Sequence, residues 1–116
     1  MHFSSVQPVY FSPTRTSGKI VHAIAEGIDI PVNKEIDLTY PIKDQNTIAR
    51  DTLAIIGAPT YAGRVAPTAL ERLKYLHGDS TPAIVVVLYG NRDYEDALLE
   101  LCDQAKAQGF IPVAGG

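Results

Sequence analysis

Seven consecutive residues, Ala83-Ile84-Val85-Val86-Val87-Leu88-Tyr89, carry no polar group except the terminal tyrosine hydroxyl, and four of them are β-branched. A half-exposed antiparallel strand would alternate apolar and polar residues. A continuous run of this kind reads instead as a strand buried on both faces, and such strands belong to parallel sheets covered by helices. Shorter runs support the same reading: Val6 to Phe11, Leu53-Ala54-Ile55-Ile56-Gly57, and Phe110-Ile111-Pro112-Val113-Ala114. A weaker extended piece spans Lys34 to Tyr40, where Ile36 and Leu38 alternate with polar residues.

Between these runs the period changes from two to 3.6. Ile20, Ile24 and Ile28, with Val21 and Ala25 beside them, mark one helical face. Thr16 or Ser17 can cap that helix and Gly27 helps to end it. Pro67 suits the first turn of a second helix bearing Ala69, Leu70, Leu73 and Leu76, with Gly78 past its end. Asp93 is an N-cap for a third, whose face is Leu98, Leu101, Cys102 and Ala105 and whose end is Gly109. Pro41 to Asp51 is polar and irregular, so the helix expected there is short or absent. Strands alternating with helices predict an α/β fold with an open parallel sheet and right-handed crossovers. The 116 residues fit a single domain, 1–116.

Several function classes are disfavoured by what the chain carries. The net charge is −3 and no basic stripe exists, which argues against duplex nucleic acid as a partner. The one cysteine, Cys102, forms no internal disulfide and no CxxC pair, and it reads as a small core residue rather than a nucleophile. His2, His22 and His77 show no ligand spacing, so no metal site is expected. The longest apolar run is far too short for a bilayer, and the N-terminus is not built like a signal peptide. The expected compartment is the reducing cytoplasm. No serine, histidine and acid set is visible, and Glu95 and Asp96 suit the first turn of their helix better than acid–base catalysis.

Parallel α/β sheets bind ligands outside the carboxyl ends of their strands. Three loops leave those ends, at residues 12–18, 58–64 and 89–94, each rich in Gly, Thr, Tyr or Arg. The first offers four hydroxyls, on Ser12, Thr14, Thr16 and Ser17, at a helix start, where backbone donors and the helix dipole favour phosphate. Arg15 and Lys19 add charge. The plainer alternative is an ordinary hydroxyl-rich cap. A Walker loop is excluded because Ile20 follows Gly18-Lys19 where a magnesium-binding hydroxyl is required. GxGxxG is absent, and a receiver-type phosphorylation site is excluded because Gly57-Ala58-Pro59 holds no carboxylate.

The Ser12-Pro13-Thr14-Arg15-Thr16-Ser17 loop resembles the phosphate loop of the flavodoxin family. Pro59-Thr60-Tyr61-Ala62-Gly63-Arg64 and Tyr89-Gly90-Asn91-Arg92-Asp93-Tyr94 resemble the flavodoxin-like domains often fused to a bacterial-type ferredoxin module. The resemblance implies five strands in the order 2-1-3-4-5, with FMN at the strand ends, as in flavodoxin itself. It also implies the roles. Ser12, Thr14, Thr16 and Ser17, with Arg15 beside them, would hold the phosphate. Pro59, Thr60, Tyr61, Ala62 and Gly63 would lie along the isoalloxazine, with Gly63 free to flip its peptide. Tyr89, Gly90, Asn91 and Arg92 would flank the other side, with Tyr94 at the rim. Arg15 departs from the family, which has Gly there. If that position requires positive φ, arginine costs of order 1 kcal/mol, which pairing with the phosphate would offset.

The expected function is outer-sphere electron transfer through bound FMN to a redox partner protein, a ferredoxin-type module being one candidate, rather than stand-alone enzyme activity. The alternatives are an NAD(P)H-dependent flavin reductase of the same fold and an interaction module that has lost FMN. Plain readings of the loops remain: Tyr61 and Tyr94 as exposed aromatics, Arg64 and Arg92 as solvated charges. Five strands at ~4.8 Å make a sheet roughly 20 Å wide. A single helix covers about 10 Å of it. The crossovers leave the first helix alone on one face, so half of that face is expected to be bare. The family's last helix is missing from the sequence, and the expectation is either a chain truncated at its C-terminus or a homodimer formed through the bare face.

Overall fold

The computed structural model describes residues 3–12, 16–41, 44–61, 64–88 and 94–115, with backbone alone at 16, 61, 64 and 94–96. Five strands form the main parallel sheet: β1 (Ser5–Tyr10), β2 (Ile36–Asp37), β4 (Thr52–Tyr61), β7 (Thr81–Leu88) and β8 (Phe110–Gly115), in the order β2-β1-β4-β7-β8. Counting only these strands, the order is 2-1-3-4-5. Two short strands, β3 (Asn46–Ile48) and β6 (Leu76–Gly78), pair in parallel apart from it, and β5 (Arg64–Val65) folds back antiparallel on the tip of β4.

The helices are α1 (Thr16–Gly27), α2 (Pro67–Leu73) and α3 (Tyr94–Ala107). They split the core in two. On one side α1 sets Val21 and Ala25 on Val6, Tyr10 and Ile55, with Ile24 and Ile28 at the margin. On the other, Ala69 and Leu73 of α2 and Ala97, Leu101 and Ala105 of α3 pack on Val9, Ile56, Val85 and Phe110. The apolar run read as doubly buried falls in β7, an interior strand between β4 and the edge strand β8. Thr81, Ala83, Val85 and Val87 are buried under α2 and α3, while Ile84, Val86 and Leu88 on the opposite face are only half-buried. There α1 reaches β1, β4 and the near side of β7. Beyond it, on β8, Ile111 is 49% and Val113 55% exposed. The apolar surface left open is therefore narrower than the half-bare face expected, and centres on the edge strand β8.

Three boundaries differ from the sequence reading. The second helix stops at Leu73, and Leu76 is fully buried within β6, paired with Asn46 of β3. Its apolar spacing fits both structures, but pairing with β3 and two hydrogen bonds from Gln108, whose Nε2 donates to the carbonyls of Lys74 (3.1 Å) and Leu76 (3.0 Å), hold it extended. The segment 41–51, read as irregular, contributes β3 through backbone pairing that polar side chains do not announce. Finally β4 continues through Ala58, Pro59 and Thr60 to Tyr61, four residues into the segment expected to be the second loop. Ala58 and Pro59 pair with Val87 and Leu88 of β7, and Thr60 pairs with Val65.

Candidate functional site: tethered loops at the carboxyl ends of the strands

The loop after β1 begins with two fixed residues. Phe11 N–H donates to the Gly57 carbonyl at 3.0 Å, and Ser12 N–H donates to the Thr39 hydroxyl at 2.8 Å. The Ser12 hydroxyl then accepts from Gly18 N–H at 2.9 Å, satisfying one of the orphan donors in the first turn of α1. Both Ser12 and Ser17 are buried, at 6% and 3% exposure. Ser12 therefore acts as a cap reaching over the loop, and as a hydroxyl it retains a proton to donate. Gly18 lets this turn lie close to the strand, since a Cβ there would stand 3.1 Å from the Tyr10 ring.

Thr39 is itself held on both sides. Its N–H donates to Asp37 Oδ1 at 2.9 Å, and Leu38 N–H donates to the Tyr10 carbonyl at 2.6 Å. From α2, Arg72 Nη1 donates to the carbonyls of Leu38 (2.8 Å) and Thr39 (2.5 Å). A guanidinium on α2 thus fixes the turn after β2, and that turn fixes the start of the first loop.

The ends of β4 and β7 are tied in the same way. Pro59 has no N–H for the ladder with β7. The Thr60 hydroxyl supplies a donor there, reaching the Leu88 carbonyl at 3.0 Å. Val65 N–H, on the far side of the β4–β5 hairpin, donates to Glu100 Oε1 of α3 at 3.1 Å. Pro59 and Thr60 are half-buried at the strand tip. Of the other expected site residues, Thr14, Arg15, Ala62, Gly63, Tyr89, Gly90, Asn91 and Arg92 lie outside the described residues, as does the Asp93 cap. Thr16, Tyr61 and Tyr94 are described by backbone only, at the start of α1, the end of β4 and the start of α3. The arrangement brings Ser12, Ser17, Pro59 and Thr60 to the carboxyl ends of the adjacent strands β1 and β4.

Sequence reasoning missed Thr39, Arg72 and Glu100. Arg72 and Glu100 stand among other charged residues on helices, where a solvated face is the ordinary reading. The available signal for Thr39 was a hydroxyl near the end of the extended piece Lys34 to Tyr40.

A cavity of about 590 Å³ opens beside the first loop, between α1 and β2. Its lining includes Tyr10 and His22, whose rings meet edge-on at 5.5 Å, and the carboxylates of Glu26, Glu35 and Asp37 against one lysine, Lys19. That charge balance opposes a phosphate. Ser12, Gly18, Lys19 and Thr39 also line this cavity, so the first turn of α1 forms its edge; the turn itself contains no acidic residue, and its remaining donors and dipole favour an anion. The donor chemistry there fits a phosphate monoester such as that of FMN.

Cys102 packs half-buried against the α3 side of the core, and burial pushes its thiol above its ordinary pKa; Lys106 pulls it back and Asp103 adds to the rise. No cluster of metal-ligating side chains exists among the described residues.

No protein-family model matches the sequence. No curated protein matches it either. Solved structures do. A mutant flavodoxin from Fusobacterium nucleatum bound to flavin mononucleotide superposes with a TM-score of 0.66 at 17% identity, covering 97% of this chain and 69% of that one. A flavodoxin from the domain Archaea gives 0.61 at 14% identity, over 97% and 83% of the two chains. A flavoprotein from Lactobacillus acidophilus in complex with FMN gives 0.57 at 16%, over 97% and 91%. At these identities the likeness establishes the fold: an open parallel sheet of flavodoxin type, with three helices among the described residues.

Proposed function

We propose that the chain is an FMN-binding electron-transfer domain, with the flavin held non-covalently at the carboxyl ends of β1, β4 and β7. The observation that carries this reading is the convergence, in a sheet of flavodoxin order, of a Ser12-capped and acid-free helix start with the carboxyl ends of β4 and β7, tied to each other by Thr60 and to α3 by Glu100. Similar structures from Fusobacterium nucleatum and Lactobacillus acidophilus carry FMN, which supports the same cofactor here.

In this reading the α1 N-terminus, with Ser12, Thr14, Thr16 and Ser17, holds the phosphate. Arg15 supplies a charge beside it. The segment Pro59, Thr60, Tyr61, Ala62 and Gly63 and the segment Tyr89, Gly90, Asn91, Arg92, with Tyr94, hold the ring. The flavin supplies the reversible acceptance of electrons. The protein's part is to bind it, orient it and set its electrostatic surroundings, so burial of the ring among neutral backbone would disfavour added negative charge. The partner is a redox protein, a ferredoxin-type module being one candidate, and the compartment is the cytoplasm. No helix among the described residues is long and apolar enough to cross a membrane.

The test is a titration. Adding the purified protein to FMN should quench flavin fluorescence and raise the melting temperature. Absence of both at excess FMN would overturn the reading and leave the interaction module as its replacement. Rapid reduction of the bound flavin by NAD(P)H would convert it to the reductase alternative.

A further inference from the structure

We infer that Arg72 and Thr39 are positioning residues for the phosphate end of the site and set the preference for FMN over unphosphorylated flavin; the inference rests on the FMN reading above. A continuous chain of hydrogen bonds joins them to the loop. Arg72 Nη1 of α2 holds the carbonyls of Leu38 and Thr39. The Thr39 hydroxyl accepts from Ser12 N–H at 2.8 Å, and the Ser12 hydroxyl accepts from Gly18 N–H at 2.9 Å.

Each link has a reason to be ordered. Leu38 is 2% exposed, so its carbonyl lies where a lost partner is costly. The β2 strand is only two residues long and lies at the sheet edge, so the turn that follows has little ladder of its own to hold it. A charged donor shared between two successive carbonyls replaces that ladder. Ser12 is buried and both its N–H and its Oγ are committed, so its position depends on Thr39 on one side and Gly18 on the other. The positions of Ser12 and Gly18, on either side of the first loop, are therefore set from α2, a helix on the opposite face of the sheet from α1.

A purely structural role would weaken every flavin equally. A positioning role at the phosphate end would weaken FMN and spare riboflavin, which has no phosphate. The experiment measures the dissociation constants of FMN and riboflavin for the wild-type chain and for Arg72→Met, Thr39→Val and Thr39→Ser, alongside amide hydrogen exchange at Ser12 and Gly18 without flavin. Arg72→Met and Thr39→Val are expected to weaken FMN about tenfold, the scale of one hydrogen bond to a charged group. Riboflavin should hold within about twofold, the amides of Ser12 and Gly18 should exchange faster, and Thr39→Ser, which keeps the hydroxyl, should behave as wild type. If Arg72→Met does not fold, the Thr39 pair alone decides the matter. Equal losses for both flavins, or unchanged FMN affinity in Thr39→Val, would overturn the positioning role while leaving the FMN reading intact. A wild-type chain that binds neither flavin would overturn both.

Discussion

Val21 of α1 lies so close over Gly57 of β4 that a Cβ built on the glycine would stand 2.5 Å from Val21 Cγ2. The missing side chain is what lets α1 sit down on the sheet with its first turn at the carboxyl end of β1. Gly57→Ala should therefore lift the helix and cost about 1–3 kcal/mol by overpacking. Val21→Ala alone should cost about 1–2 kcal/mol as lost packing. Combined, the two should cost at least about 1 kcal/mol less than their sum, because each relieves the other. Urea denaturation of the four proteins tests the pairing, and strict additivity would show that the helix does not rest on this contact.

Thr60 tests whether the second and third loops act together. Its hydroxyl donates to the Leu88 carbonyl at 3.0 Å, next to a proline that donates nothing. Thr60→Val keeps the shape and removes the donor, so stability should fall by about 1 kcal/mol. FMN affinity should fall as well, because the ring-side segments lose their tie. Thr60→Ser should restore both. Loss of stability without any change in affinity would separate this bond from the site.

Gly109 ends α3 with φ of +93°, and a Cβ there would run into the backbone carbonyl of Gly78. Two penalties coincide, strained backbone and a collision with main chain that cannot swing aside. Gly109→Ala should cost about 2 kcal/mol or more. Gly109→Asn discriminates between the two causes, since asparagine tolerates positive φ but still carries a Cβ. It should be no better than alanine in a thermal melt; a substantial recovery would mean that strain alone matters.

The fold was legible because periodicity reports burial. Residues 83–88 of the apolar run lie in the interior strand β7, and the isoleucine-bearing face of 20–28 packs as α1 on the sheet. Ambiguity arose where one pattern fits two structures, as with Leu76, whose place in a strand is decided by β3 and Gln108. The apolar run stops at Gly57, yet the strand continues past Pro59, where the Thr60 hydroxyl supplies a donor that the proline lacks. In the candidate site, hydroxyls beside a helix start were readable from local sequence. Thr39, Arg72 and Glu100 were not, because their roles exist only once β2, α2 and α3 have been brought to the strand ends by long-range pairing.

Burial raises the Cys102 thiol above its ordinary pKa. The neutral form is thus the one the fold favours. Its contribution to stability is present below the ordinary thiol pKa and is lost as pH rises through the folded value. At pH 8 iodoacetamide should label the folded protein roughly tenfold or more slowly than the urea-unfolded chain, because both thiolate fraction and access are reduced. Equal labelling rates would place the thiol outside the core.

Val113 lies where the pairing of β8 with β7 slips. Pro112 faces Ala83 and Ala114 faces Ile84, so Val113 is the extra residue of a bulge and opposes nothing. With Ile111 it leaves a short apolar strip open to solvent on the edge strand β8. Such a strip should bind an apolar dye and drive association between copies as concentration rises. Val113→Lys removes apolar surface at a position with no ladder partner, so it should change stability by less than about 0.5 kcal/mol. The same substitution should lower dye fluorescence and shift sedimentation towards the monomer, and Ile111→Thr should add to both effects. A wild-type chain that stays monomeric at high concentration and leaves the dye dark would show that the strip is shielded, and the predicted response to Val113→Lys would then be absent as well.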